Sequence, residues 1–172
     1  MDISNELLKY QVQSKQQALA VAECAIASDS AMEELIRCLL SDDVRLTQRA
    51  AWSVSWVAQK RTASIKPYIG LLINQLDKPL SHNAIIRNSL RILQNIEIPD
   101  VYHGQLLNVC FNFIQNRETA IAVKAFSLQV LFNLSSRYPE IKNELKLIIE
   151  ENMDYESAAF RSKGKHILAK LK

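Results

Sequence analysis

Apolar residues along this chain recur at the three- and four-residue spacing that places side chains on one side of a helix. Met32, Leu35, Ile36, Leu39 and Leu40 form the first clear stripe. Ser30, with Glu33 three residues on, predicts a capping box before it, and Asp42-Asp43 ends that helix and caps the next, from Val44 to about Arg61. A second pair is predicted to open at Ser64 with Pro67 in its first turn, to carry Ile65, Ile69, Leu72, Ile73 and Leu76, and to stop at Lys78-Pro79. Its partner helix starts behind Ser81, and Pro99-Asp100 breaks the chain again. Leu106, Leu107, Cys110, Phe111 and Ile114 then mark one helix, and Thr119 to about Ser136 the next. Pro139 introduces Ile141, Leu145, Ile148 and Ile149, and a last helix carries Phe160, Gly164, Ile167, Leu168 and Leu171.

In the second helix of each pair stands a basic residue: Arg49, Arg87, Lys124 and Arg161, 38, 37 and 37 residues apart. Self-similarity at this period predicts a stacked array of helix pairs. Such arrays hold other molecules far more often than they catalyse reactions. The expected organisation is one domain, with residues 1–30 as an N-terminal cap and pairs at 31–61, 62–99, 100–137 and 138–172. The Ala-rich stretch Ala18 to Ala27 allows close packing in that cap. The 117–137 helix is apolar nearly all round, through Ile121, Val123, Phe126, Leu128, Val130, Leu131, Phe132 and Leu134, with a narrow polar strip at Gln129 and Asn133. It is expected at the buried centre, with Phe132 in the core.

Composition narrows the fold class to all-α. Only 3 Gly and 4 Pro among 172 residues leave little material for hairpins or phosphate-cradling loops. With 48% apolar residues, a chain of this length buries roughly two thirds of its unfolded surface without a metal or disulfide. Cys24, Cys38 and Cys110 lie in apolar helical runs with no C-x-x-C pair, and read as reduced core thiols. The start of the chain lacks the pattern of a signal peptide and no run of 18 apolar residues occurs, so a soluble, cytoplasmic protein with no membrane partner is expected.

Net charge is only +3, yet the second helices (44–61, 79–99, 117–137 and 155–172) together carry +11, the first helices −6 and residues 1–30 −2. On the 44–61 helix, Arg45, Arg49, Trp52, Trp56 and Lys60 fall within about 80° of one another. Two tryptophans beside three cations suit the stacking of bases or the grip of an aromatic peptide anchor. The structural alternative is that Trp52 and Trp56 fill the gap to the next repeat, and that the cations form ladders with acidic residues of neighbouring repeats. The 79–99 helix divides similarly, with Ile85, Ile92, Leu93 and Ile96 opposite an accessible Arg87, Asn88, Arg91, Gln94 and Asn95.

No catalytic constellation is evident. His82, His103 and His166 stand far apart without a carboxylate or Cys at triad or ligand spacing and read as surface histidines. Asp42-Asp43 and Glu150-Glu151 lie at helix ends, where capping explains them. No metal and no cofactor are predicted.

Asp43-Val-Arg-Leu-Thr-Gln-Arg-Ala-Ala-Trp52 resembles the second-helix consensus of HEAT repeats, a capping Asp, then Val-Arg, then a run of small residues. The resemblance implies an alpha-alpha superhelix, a HEAT/armadillo-like solenoid of four to five antiparallel helix pairs, whose second helices line the inner side. That inner side would be basic and would attract an acidic partner. Through Arg49-Ala-Ala-Trp52, Val109-Cys-Phe-Asn-Phe113, Glu144 to Glu150 and His166 to Leu171, the chain is also similar to short bacterial helical-repeat proteins sometimes labelled adenylosuccinate lyase. That lyase family needs a mobile Gly- and Ser-rich loop with Met-Pro and Lys-x-Asn, and Ser135-Ser136-Arg-Tyr-Pro139 does not supply it.

The expected function is a non-catalytic scaffold binding a protein or acidic peptide through Arg45, Arg49, Trp52, Trp56, Lys60, Arg87, Arg91 and Gln94, as a monomer or weak dimer. The alternatives are a nucleic-acid binder resembling the HEAT-like DNA alkylation repair proteins, and an enzyme or accessory linked to adenylosuccinate lyase.

Overall fold

Among the described residues the chain forms ten α-helices and no strand. The computed structural model describes residues 1–78 and 83–171, which divide into two units, Met1–Ile92 and Leu93–Lys172. Pro79, Ser81, His82 and Lys172, which bear on the start of one predicted helix and the end of another, lie outside the described residues.

The first unit opens with α1 (Ile3–Leu8), α2 (Lys15–Ala27), α3 (Asp29–Leu39) and α4 (Val44–Lys60). Asp43 caps α4 as its sequence predicts, its carboxylate accepting the N–H groups of Arg45 and Leu46. The cap of α3 sits two residues earlier than expected. Ser28, in extended backbone, accepts the Ala31 N–H, while Ser30 lies inside the helix and its hydroxyl bonds that of Ser28 at 2.9 Å. The predicted helix at 64–78 is broken. Pro67 has no N–H to give the carbonyl of residue 63, so 62–64 and 66–68 form 3-10 turns held by Ile65 to Thr62 and Tyr68 to Ile65 bonds. Only α5 (Ile69–Asn74) is α-helical there. Ile65, Ile69, Leu72 and Ile73 are buried, so the predicted stripe faces the core although the helix does not run its full length. Then α6 (Asn83–Leu93) stops short of the expected 99, and the chain is extended at Pro99.

In the second unit, a 3-10 turn at 100–102 leads into α7 (His103–Gln115), followed by α8 (Ile121–Leu134), α9 (Ile141–Asn152) and α10 (Ala158–Lys170). Helix α8 packs against α7, α9 and α10, which is why its apolar residues point in several directions. Val123, Leu128, Val130, Leu131 and Leu134 are buried. Burial is not complete all round, however: Ile121 is 55% exposed and Phe126 and Phe132 are only half-buried. Phe132 therefore contributes less to the core than its sequence context suggests, and Leu128 and Leu131 contribute more.

Gly164 permits the approach of α10 to α9. A Cβ there would lie 2.8 Å from Cγ2 of Ile149. Cys38 and Cys110 are buried free thiols, whereas Cys24 is half-buried rather than core. Burial pushes the Cys110 thiol up to about 12, with the Ser127 hydroxyl pulling slightly the other way.

Candidate partner-binding face

The α4 stripe is held together as its periodicity requires, but four of its five residues, Arg45, Arg49, Trp56 and Lys60, contact the segment formed by residues 1–27. Arg49 is buried, 7% exposed, and donates through Nη1 to the carbonyls of Leu7 (2.6 Å) and Tyr10 (2.8 Å) and through Nη2 to that of Gln11 (2.6 Å). Arg45, one turn earlier and exposed, donates to Tyr10 and Gln11 at 2.8 and 3.3 Å. No carboxylate pairs with Arg49 among the described residues. Burial, with the positive charge of Arg45 beside it, lowers the Arg49 pKa from its usual value.

Trp52 and Trp56 are both half-buried. Lys15, at the start of α2, places its Nζ 5.1 Å from the centre of the Trp56 ring, a cation–π contact. The Trp56 indole nitrogen is shielded from solvent with no hydrogen-bond partner among the described residues. Lys60 binds Glu23 of α2 at 2.6 Å. The stripe thus serves packing within the first unit while leaving Arg45, Lys60 and part of each indole at the surface.

Arg87 on α6 is half-buried and Arg91 exposed. Asn88, expected on the accessible side, is instead buried, as is Ser89, and neither Asn88 Nδ2 nor Ser89 Oγ has a partner among the described residues. Gln94, in the second unit, accepts from Asn133 Nδ2 through its carbonyl at 2.8 Å. Asn133 Oδ1 in turn accepts from Gln129, and Gln129 Oε1 from Lys163 at 3.1 Å. The polar strip expected at Gln129 and Asn133 is therefore a hydrogen-bonded line within the second unit, joining the Gln94 carbonyl to α8 and α10.

Two further groups escape sequence reasoning. His103 is not a surface histidine. It is 6% exposed, with Nε2 2.8 Å from the Ile98 carbonyl and Nδ1 2.9 Å from the Tyr138 hydroxyl. A carbonyl only accepts, so Nε2 carries the hydrogen, and in the neutral ring Nδ1 accepts from Tyr138. His103 ties the segment before α7, at Ile98, to Tyr138 in the link between α8 and α9, and with the Asp100–Arg137 ion pair it borders a cavity of about 240 Å³. Lys124 is also buried, its ammonium paired with the Glu156 carboxylate. Tyr138 and Glu156 lie 35 and 32 residues from His103 and Lys124, beyond the reach of local pattern. His166 is exposed, as expected.

No three His, Cys, Asp or Glu side chains gather at metal-binding distance among the described residues, and no helix there is long and apolar enough to cross a membrane. No curated protein and no solved structure matches the chain significantly. A family model described as HEAT repeat domain, by contrast, matches residues 4–171, almost the whole sequence. All-helical repeats of this kind commonly serve as protein-interaction scaffolds and are typically not enzymes. The period of basic residues, the paired helices and this match over nearly the full length agree, and the chain belongs to the HEAT repeat domain family.

Proposed function

We propose that the chain is a non-catalytic scaffold that takes a protein or acidic peptide on the face carried by its second helices. The contact residues on this reading are Arg45, Trp52, Trp56 and Lys60 of α4, Arg87 and Arg91 of α6, and Gln94. Arg49 supports that surface from beneath. The observation that carries the reading is the composition around the tryptophans: two half-buried indoles with Arg45, Lys60 and Lys15 around them. Large aromatic area that is already rigid, ringed by cations, costs little ordering entropy to use and is typical of interface anchors.

A photo-crosslinking residue placed at Trp52 or Arg91 tests this, with Glu33 and Leu147 on first helices as controls. Saturable adducts with one defined partner are expected from the second-helix positions, competed by unlabelled protein. Labelling as strong from Glu33 and Leu147 would sink the reading. Nucleic acid is the second reading, favoured by the exposed Arg91, Arg161, Lys165 and Lys170 on second helices.

A further inference from the structure

The cavity beside His103 lies wholly within the second unit and is built from two kinds of residue. Leu93, Ile98, Val130 and Leu134 are buried and form apolar walls. Glu97, Asp100 and Arg137 are exposed and stand at its mouth. The polar groups in the walls are already committed. His103 gives its Nε2 hydrogen to the Ile98 carbonyl and accepts at Nδ1 from Tyr138, while the Ser136 hydroxyl donates to the Asn133 carbonyl at 2.8 Å. Asp100, His103 and Ser136 line one cavity, yet the imidazole has no nitrogen left to take a proton from the serine, so the walls offer no activated nucleophile. The mouth is different. Asp100 Oδ2 pairs with Arg137 and Asp100 Oδ1 lies 3.8 Å from His103 Nδ1, whereas Glu97 enters no ion pair among the described residues. With the imidazole neutral, two carboxylates against one guanidinium leave the mouth one negative charge in excess.

From this we infer that the cavity is a binding site for a small organic amine, an apolar group one or two carbons from a protonated nitrogen. Size sets the first limit. Water in the liquid takes about 30 Å³ per molecule, so a cavity of about 240 Å³ accommodates roughly eight to ten non-hydrogen atoms, the size of a phenyl ring with a two-carbon stem and an amine. The ring lies against Leu93, Val130 and Leu134 and is removed from water there. Its ammonium stays at the mouth, beside Glu97 and Asp100, where both partners keep solvent and the charge is not buried. Charge sets the second limit. An anion of the same shape has to draw Arg137 from Asp100 and then sits beside Glu97. A lysine side chain entering head first fits no better, since it carries its charge into the apolar walls and leaves the carboxylates unmet. The cavity shares no lining residue with the second-helix contact set, so this inference goes beyond that reading and stands or falls separately from it.

The test titrates the full chain, isotope-labelled at its methyl groups, with phenethylamine and, separately, with phenylpropanoate, the carboxylate of like shape. Saturable shifts of the Ile98, Val130 and Leu134 methyl resonances are expected from the amine, with the carboxylate binding at least about tenfold more weakly. Glu97→Gln should weaken the amine about threefold, as suits a solvent-exposed charge pair, and Glu97→Lys should reverse the order so that the carboxylate binds better. Residue 97 is exposed, so both variants keep the core, and methyl spectra unchanged away from the cavity verify it. Absence of shifts at these methyls up to about 10 mM amine, a concentration at which about nine atoms of ordinary ligand efficiency fill a true site, overturns the inference. So does equal binding of amine and carboxylate by the wild type, or a Glu97→Lys chain that still prefers the amine. A Phe-Gly-Gly peptide bound through its free N-terminus at least about tenfold more tightly than phenethylamine also overturns it, because the occupant is then the end of a partner chain rather than a small amine.

Discussion

Arg49 and Lys124 occupy the same place in the repeat, yet the fold uses them differently. Arg49 spreads a planar fork over three carbonyls, a geometry that a lysine, with a compact ammonium, does not reproduce. Removing it by Arg49→Ala leaves Leu7 O and the Tyr10 and Gln11 carbonyls poorly satisfied. A loss of about 2–3 kcal/mol is expected, with Arg49→Lys recovering less than half. Urea unfolding reads this directly, and a midpoint unchanged in both variants would mean that water replaces the guanidinium at no cost. Lys124, 3% exposed, is instead neutralised by Glu156. Lys124→Met alone strands a largely buried carboxylate and is expected to cost about 3–5 kcal/mol, whereas Lys124→Met with Glu156→Leu should fall within about 1 kcal/mol of wild type. A double-mutant cycle by chemical denaturation gives the coupling; additive losses would show the pair to be independent. Arg87 is half-buried and Arg161 exposed, so a shared sequence position gives four different environments.

Elements differ in how much of their form the sequence discloses. Helices α3 and α4 follow from an apolar stripe and a capping Asp43, all within a few residues of one another. The 3-10 turns around Pro67 follow from a single missing N–H, and a stripe of buried residues conceals them, since Ile65 and Ile69 face inward in either geometry. Nothing local discloses how α1 is held, because Glu34 accepts from its first amides and Arg49 donates to Leu7 O across 30 to 42 positions. The candidate face was legible as a stripe of five residues on α4, while the segment packed against it was not. Gly164 is an element-scale feature with a measurable consequence. Gly164→Ala gains about 1 kcal/mol of helix propensity but presses on the Ile149 methyl, so little net change is expected. Gly164→Leu cannot be accommodated without parting α10 from α9 and should cost about 2–3 kcal/mol in a thermal or urea melt. A Leu variant as stable as wild type would show that the two helices are free to separate.

At the scale of the whole chain the question is what the +11 on the second helices is for. A large part of it is already committed. Arg45 and Arg49 bind carbonyls of the first segment, Lys60 binds Glu23, Lys124 binds Glu156, and Arg137 binds Asp100. Cations that must give up such bonds lose part of the gain from a phosphate, and buried ones cannot reach it. The arrangement therefore favours a partner that meets a few exposed cations together with aromatic surface over one that needs a continuous basic track. Because Trp52 and Trp56 are half-buried, their emission should lie between that of exposed and core indoles, and it reports on the contact directly. Titration with single-stranded and duplex nucleic acid, repeated from about 50 to 200 mM salt, is expected to give a quench that is weak at low salt and absent at high salt. The salt slope should correspond to fewer than about four phosphates. A saturable quench that persists at the higher salt, with a slope of about four or more phosphates and loss on substituting Arg91, would reverse the preference and make nucleic acid the partner.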